Sequence, residues 1–202
     1  MPRVAGQIDV SKNEAILDAA VEVMGERGVS APLDEIARRA GVSKQTIYNH
    51  YGSKAELVRA LSARRVHEIT APLEAAGAAE NPAEALAAFA RILLDAVYRP
   101  KGAGLYRTAI VHAHEMPDVA RAMFEAGPQA SRARLAEFLA LETRAGRLDC
   151  PNPLEAAEFF GGMVIGSYQT AMLLGIPIGL DDARIDHLAG EAAKRFLRAY
   201  AP

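Results

Sequence analysis

The sequence predicts an all-α fold, with a short domain over residues 1–58 and a longer helical one over residues 59–202. Three observations carry that expectation. Apolar residues return at helical spacing (i, i+3, i+4, i+7) in one segment after another, and no alternating strand pattern competes with them. Helix-start and helix-stop residues punctuate those segments. Ala and Leu are abundant, aromatic residues make up 6% and Trp is absent, which suits helices and argues against an all-β sandwich. With 202 residues, half of them hydrophobic and 24% charged, the chain can bury a sizeable core and is globular rather than disordered.

The first helix is expected from about Lys12 to Arg27. Ser11 followed by Glu14 reads as a capping box; Ile16, Leu17, Ala20, Val23 and Met24 share a face, and Gly28 can supply a left-handed C-terminal residue. A second, short helix carries Leu33, Ile36, Ala37 and Ala40. Pro32 suits its first turn, where no amide donor is needed, and Gly41 stops it. Ser43 caps a third helix from Lys44 to His50, and Gly52 breaks it. Ser53 and Glu56 form another capping box and open a longer fourth helix to about Ala71, with Leu57, Leu61, Val66 and Ile69.

Beyond Pro72 the helices are less specific. One runs from Pro82 to Arg99, with Leu86, Phe89, Ile92, Leu93 and Val97. After a break at Lys101-Gly102-Ala103-Gly104 another covers Leu105 to His114. Pro117 starts a stretch to Ala126, Gly127-Pro128 bends the chain, and Ala130 to Ala145 forms a charged amphipathic helix closed by Gly146. Pro151-Asn152-Pro153 links to a helix from Leu154 to Leu174. The last helix is capped by Asp181 or Asp182 and carries Ile185, Leu188, Ala189, Ala192, Phe196 and Tyr200 on one face.

Net charge is −2, so any surface for a polyanion must be local. Residues 27–67 hold eight Lys/Arg against three acids, a local +5, while the remainder holds 15 bases against 22 acids, or −7. This asymmetry assigns contact with a polyanion to one part of the chain. Cys150 cannot form an internal disulfide and fits a reducing, cytoplasmic setting, and the stretch Met1 to Val10 has no apolar run of the signal-peptide kind. Phe159 to Leu180 carries no charge, but Ser167, Gln169, Thr170, five glycines and Pro177 interrupt it, so a buried interface helix is expected there and not a membrane span.

Two short helices around Gly41, braced by a longer helix on each side, read as a helix-turn-helix. Ala37 is small where the helices cross, Gly41 sits at the turn, and Ile36, Val42 and Ile47 supply a shared core. This frees the second helix to enter a major groove. Its exposed face would be Lys44, Gln45, Thr46, Tyr48, Asn49 and His50; every one can hydrogen-bond and none is acidic. Lys, Gln and Asn supply the groups that read guanine and adenine edges, and Thr, Tyr and His suit phosphate oxygens. Lys54 places its charge beside exposed amides at a helix start, which opposes the helix dipole but suits an anion.

The run Leu33-Asp34-Glu35-Ile36-Ala37-Arg38-Arg39-Ala40-Gly41-Val42-Ser43-Lys44-Gln45-Thr46-Ile47-Tyr48-Asn49-His50-Tyr51-Gly52-Ser53-Lys54-Ala55-Glu56-Leu57 resembles the TetR family of transcriptional repressors. The likeness covers roughly residues 11–58. It implies an N-terminal DNA-binding domain with a helix-turn-helix and a C-terminal helical domain for effector binding and dimerisation. It also implies a homodimer that binds a palindromic operator and releases it when a small effector binds. By motif position Lys44, Gln45 and Asn49 become base readers, and Thr46, Tyr48, His50 and Lys54 phosphate contacts. This sequence departs from the family pattern in three places: Ala31-Pro32 stand where a Thr or Ser commonly caps the second helix, Gln45 replaces a small residue, and Tyr51 replaces the commoner Phe.

No paired nucleophile and base, P-loop, H-E-x-x-H or G-x-S-x-G pattern appears, so no catalytic, metal or cofactor site is expected. His112, Glu115, Arg107 and Tyr106 are the residues that an alternative, a small helical enzyme, would have to use. A second alternative is a helix-turn-helix protein without an effector. Gly162 and Gly166 make a G-x-x-x-G spacing, and residues 154–174 with 182–200 are expected to form the four-helix bundle of a homodimer. An effector pocket between bundle helices would be apolar, drawing on Phe89, Leu93, Tyr106, Ile110, Phe124, Phe138, Met163, Tyr168 and Met172, with His112, Arg107 and Gln169 as polar candidates. Its ligand is then lipophilic, aromatic or with one polar end.

Overall fold

The computed structural model describes residues 10–202, with Lys101 and Pro100 described by backbone alone. The stretch before Val10, read above for a signal peptide, lies outside the described residues. Eleven α-helices and no strand occur among the described residues: α1 Val10–Arg27, α2 Leu33–Arg39, α3 Lys44–Tyr51, α4 Lys54–Glu74, α5 Pro82–Tyr98, α6 Pro100–Val111, α7 Pro117–Phe124, α8 Ala130–Arg144, α9 Pro153–Ile165, α10 Tyr168–Leu173 and α11 Asp182–Ala199. They form two compact units, Met1–Arg64 with Pro100–Gly127 and Arg65–Arg99 with Pro128–Pro202. The units therefore do not follow a 58/59 division: the 100–127 segment joins the N-terminal helices, and α4 contributes to both units.

In the first unit, Ile16, Leu17, Ala20, Val23 and Met24 of α1 pack with Leu33, Ile36 and Ala37 of α2, Ile47 of α3, and Leu57, Val58 and Leu61 of α4. Removing water from these apolar side chains is the main stabilising term. Ala109, Val119 and Met123 close the same core from α6 and α7. The break expected at 101–104 is absent, because α6 begins at Pro100 and runs through both glycines. Packing holds α6 against the end of α1: the Thr108 side chain stands where a Cβ at Gly28 would sit, and Leu105, Tyr106 and Ala109 pack on the N-terminal core. The helix ends at Val111, short of His114.

Other boundaries also differ from expectation. Helix α1 already includes Val10 and Ser11, so Ser11 stands inside the helix and not ahead of it. Pro32 is the residue before α2, at φ −65° and ψ 139°, and makes no side-chain cap bond. Pro72 falls inside α4, where it withdraws one amide donor near the helix end while Ile69 and Leu73 stay buried. Gly127 and Pro128 lie within a π-helical turn over Glu125–Gln129, between α7 and α8. The caps at Ser43, Ser53, Asn81, Asn152 and Asp181 each accept from a backbone amide three residues on.

The second unit packs α11 against α5 and α9, and α8 against α9. Phe89, Phe160 and Phe196 are fully buried and in ring contact, Phe89 with Phe160 at 6.1 Å and Phe160 with Phe196 at 5.0 Å. Beneath the C-terminus of α8, the buried Glu142 accepts two bonds from the Arg147 guanidinium, at 2.6 and 2.9 Å. The single helix expected over 154–174 is instead two. Gly166 adopts φ 56° and ψ −156°, a conformation open almost only to glycine, and ends α9. The G-x-x-x-G spacing is therefore not two glycines on one helix face; only Gly162 is helical.

Candidate nucleic-acid interface

The turn between α2 and α3 is closed by Gly41 at φ 68°, with the Val42 amide donating to the Ala37 carbonyl at 3.0 Å. Ser43 then caps α3, its Oγ accepting from the Thr46 amide at 3.0 Å. Ile47 faces the core and is 1% exposed. With Ile47 fixed inward, helical geometry turns Lys44, Gln45, Tyr48, Asn49 and His50 outward, and all five are exposed. Thr46 is half-buried, its hydroxyl 2.8 Å from Ser43 Oγ.

The exposed groups hold one another in order. Gln45 Nε2 donates to Asn49 Oδ1 at 2.7 Å, one helical turn along. Lys44 Nζ donates to Asp34 Oδ2 at 2.8 Å, which holds the ammonium above its usual pKa range. His50 Nε2 lies 3.1 Å from Asn13 Oδ1, which also accepts from Tyr51 OH at 2.6 Å. The hydroxyl that Tyr51 brings in place of Phe thus ties α3 to α1. Lys54 is half-buried at the start of α4, where burial pulls its pKa down, and it has no ion-pair partner among the described residues. A cation already stripped of part of its water, beside free helix amides, gains from an incoming anion.

Most of the cationic excess counted over residues 27–67 is neutralised in three dimensions. Arg27 pairs with Glu35, Arg39 with Glu22 and Glu26, Arg59 with Glu56 and Glu125, Arg64 with Glu14 and Asp18, and Arg65 with Glu68. Of the eight basic residues only Arg38 and Lys54 have no ion pair among the described residues. Arg38 is exposed on α2 and is a candidate phosphate contact that the sequence reading missed; the signal was its place opposite Leu33, Ile36 and Ala37 on the helix.

The effector-pocket candidates divide between the two units. Phe89, Leu93, Phe138, Met163, Tyr168, Gln169 and Met172 fall in the second, Tyr106, Arg107, Ile110, His112 and Phe124 in the first. Phe89, Phe138 and Met172 are buried, and Tyr168 stacks edge-on to Tyr98 at 6.3 Å. Tyr106 packs on the N-terminal core, and burial pushes its phenol up to about 12. Ile110, Phe124 and Met163 are exposed. His112 Nδ1 and Glu115 Oε2 make a local contact at 2.8 Å, with His114 exposed beside them.

Residues 16–61 match the family described as "Bacterial regulatory proteins, tetR family", and residues 84–202 match "AefR-like transcriptional repressor, C-terminal domain". The chain belongs to the TetR family of transcriptional regulators. The descriptions of both matched families are of transcriptional regulators, and the N-terminal one spans the helix-turn-helix of α2 and α3. A relative, the HTH-type transcriptional regulator SrpR of Pseudomonas putida, is 38% identical over 89 residues, 44% of this chain and 40% of that one. The chain spans less than two thirds of the length of the first curated relatives it matches. Among solved structures, the flavonoid-responsive regulator FrrA is 31% identical, with a TM-score of 0.69, covering 96% of this chain and 99% of that one. A TetR-family regulator from Mesorhizobium loti MAFF303099 shares the fold at a TM-score of 0.76 and 23% identity, covering 99% and 100%. Among the described residues no helix is long and apolar enough to cross a membrane.

Proposed function

We propose that the chain is a homodimeric repressor that binds a palindromic operator through α3 and leaves it when a small lipophilic effector binds. The acid-free face of α3 supports operator reading most strongly: Lys44, Gln45 and Asn49 as base readers, and Thr46, Tyr48, His50, Lys54 and Arg38 as phosphate contacts. Repression is favoured over activation because residues 84–202 match a family described as a repressor domain. Dimerisation rests on the apolar residues that α9 leaves exposed, Leu154, Phe159 and Met163, with α11 beside them. Two half-sites about one helical turn apart, or a multiple of it, require two recognition helices held at fixed separation.

The effector pocket is proposed within the second unit, among Phe89, Leu93, Tyr168 and Met172, where the supply of side chains is apolar and aromatic; Met163, exposed on α9, belongs to the proposed dimer face instead. That a relative sharing most of its length with this chain is named flavonoid-responsive supports an aromatic ligand. Such a ligand must bind the DNA-incompetent arrangement more tightly, or it would release nothing. Two measurements test this reading. Retention of the full chain on a DNA column should fall steeply with salt. Thermal shift against lipophilic aromatic compounds should find a stabilising ligand that lowers that retention. A chain indifferent to every such compound but still bound to DNA would be the effector-free regulator instead.

A further inference from the structure

Helix α3 contains no acid, yet a carboxylate stands at its N-terminal end. Asp34, in the first turn of α2, accepts from Lys44 Nζ at 2.8 Å, and the two side chains are 65% and 46% exposed. The other acid of that turn, Glu35, is only 14% exposed and pairs with Arg27. The N-terminal residues of a recognition helix are the ones that contact base edges when a helix-turn-helix docks. Asp34 is thus the acid that shares the reading end of α3.

At a surface that only grips phosphates, a carboxylate there would weaken binding by repulsion. At a base edge it has a use, because Asp can accept from the cytosine N4 amine. Adenine also presents an amine, but its N7 acceptor lies beside it and would repel the carboxylate; cytosine presents a C–H in that place. Across a C·G pair the cytosine amine and the guanine O6 and N7 acceptors lie side by side in the major groove. A carboxylate and an ammonium 2.8 Å apart offer an acceptor and a donor in the complementary order. Resting on the proposed operator reading by α3, we propose that Asp34 and Lys44 form one reading unit that specifies a C·G pair in each half-site. Lys44 donates to guanine, and Asp34, supplied by α2, accepts from cytosine N4. Off the operator the same contact holds the Lys44 charge away from phosphates and so lowers binding to random sequence.

The test is selection of bound DNA from a random pool with the full-length chain and with Asp34→Asn, followed by titration on the selected operator. The wild type should enrich a half-site containing a C·G pair. Asp34→Asn should relax that position, with discrimination falling about tenfold or more. Its binding to random DNA should tighten, with a salt slope steeper by about one unit as Lys44 is released. Lys44→Gln should relax the same base pair. An operator whose cytosine lacks the exocyclic amine should weaken the wild type by a similar factor and leave Asp34→Ala unchanged, a result that needs no variant to fold better than the wild type. A wild type that enriches a motif which Asp34→Asn keeps intact, or Asp34 and Lys44 variants that relax different base pairs, overturns the inference about Asp34 alone. A wild type that enriches no motif overturns the operator reading and this inference with it.

Discussion

Helices α3 and α9 each present one exposed face, and the two faces differ in what they say about a partner. On α3, Lys44, Gln45 and Asn49 offer donors and acceptors in a fixed order, and directional groups constrain the chemistry they can meet. On α9, Leu154, Phe159 and Met163 offer apolar area, with the exposed Glu155 and Glu158 among them. Burial of such area is favourable but non-directional, so it calls for cover without naming the cover. The proposed functions of the two faces are also coupled: a reading face with one half-site's worth of contacts needs the apolar face to hold its twin.

Replacing Phe159 by Asp should break that coupling most severely. Dimers should give way to monomers in light scattering, and operator affinity should fall about 100-fold or more as the second half-site contact loses its tether. An intact dimer would place the interface elsewhere. Gly162, within α9, and Gly166, which ends it, should then part company. Gly166→Ala forces a side chain into a conformation nearly reserved for glycine and should cost about 1–3 kcal/mol in chemical denaturation. Gly162→Ala, helical and with open space around its Cβ position, should stabilise the isolated fold by roughly 0.5–1 kcal/mol. On the reading side, Lys54→Ala should weaken binding to all sequences alike and reduce the salt slope by about one unit, while Gln45→Ala should relax preference at particular base pairs. Tyr51→Phe removes the hydroxyl bond to Asn13 and should cost about 1 kcal/mol in thermal unfolding, without changing base preference.

The same contrast explains how far the sequence could be read. Around α3 each local rule points one way: Ser43 caps, Ile47 faces in, Gly41 and Gly52 turn at positive φ, and Ser53 opens α4. Those rules act over a few residues and leave a pattern in the sequence. Elsewhere, tertiary contacts overrode local preference. Gly102 and Gly104 read as a break, yet α6 runs through them, with Leu105, Tyr106 and Ala109 packed on the N-terminal core and Thr108 against Gly28. Gly166 read as a helix-packing residue, yet it serves as a turn. The basic segment read as +5, yet Glu14, Asp18, Glu22 and Glu26 of α1 and Glu125 lie across from it and cancel much of that charge. Pairings between residues so far apart in the chain leave no periodic trace. For the same reason Asp34 and Asn13 emerged only once the helices were placed.

The central claim, that α3 reads DNA sequence from a paired arrangement, is tested most directly by selecting bound duplexes from a random pool with the full chain at near-physiological salt. The account predicts enrichment of an inverted repeat, with half-site centres separated by about one helical turn or a multiple of it. Enrichment of a single unrepeated half-site, or recovery of unselected sequence, would contradict it.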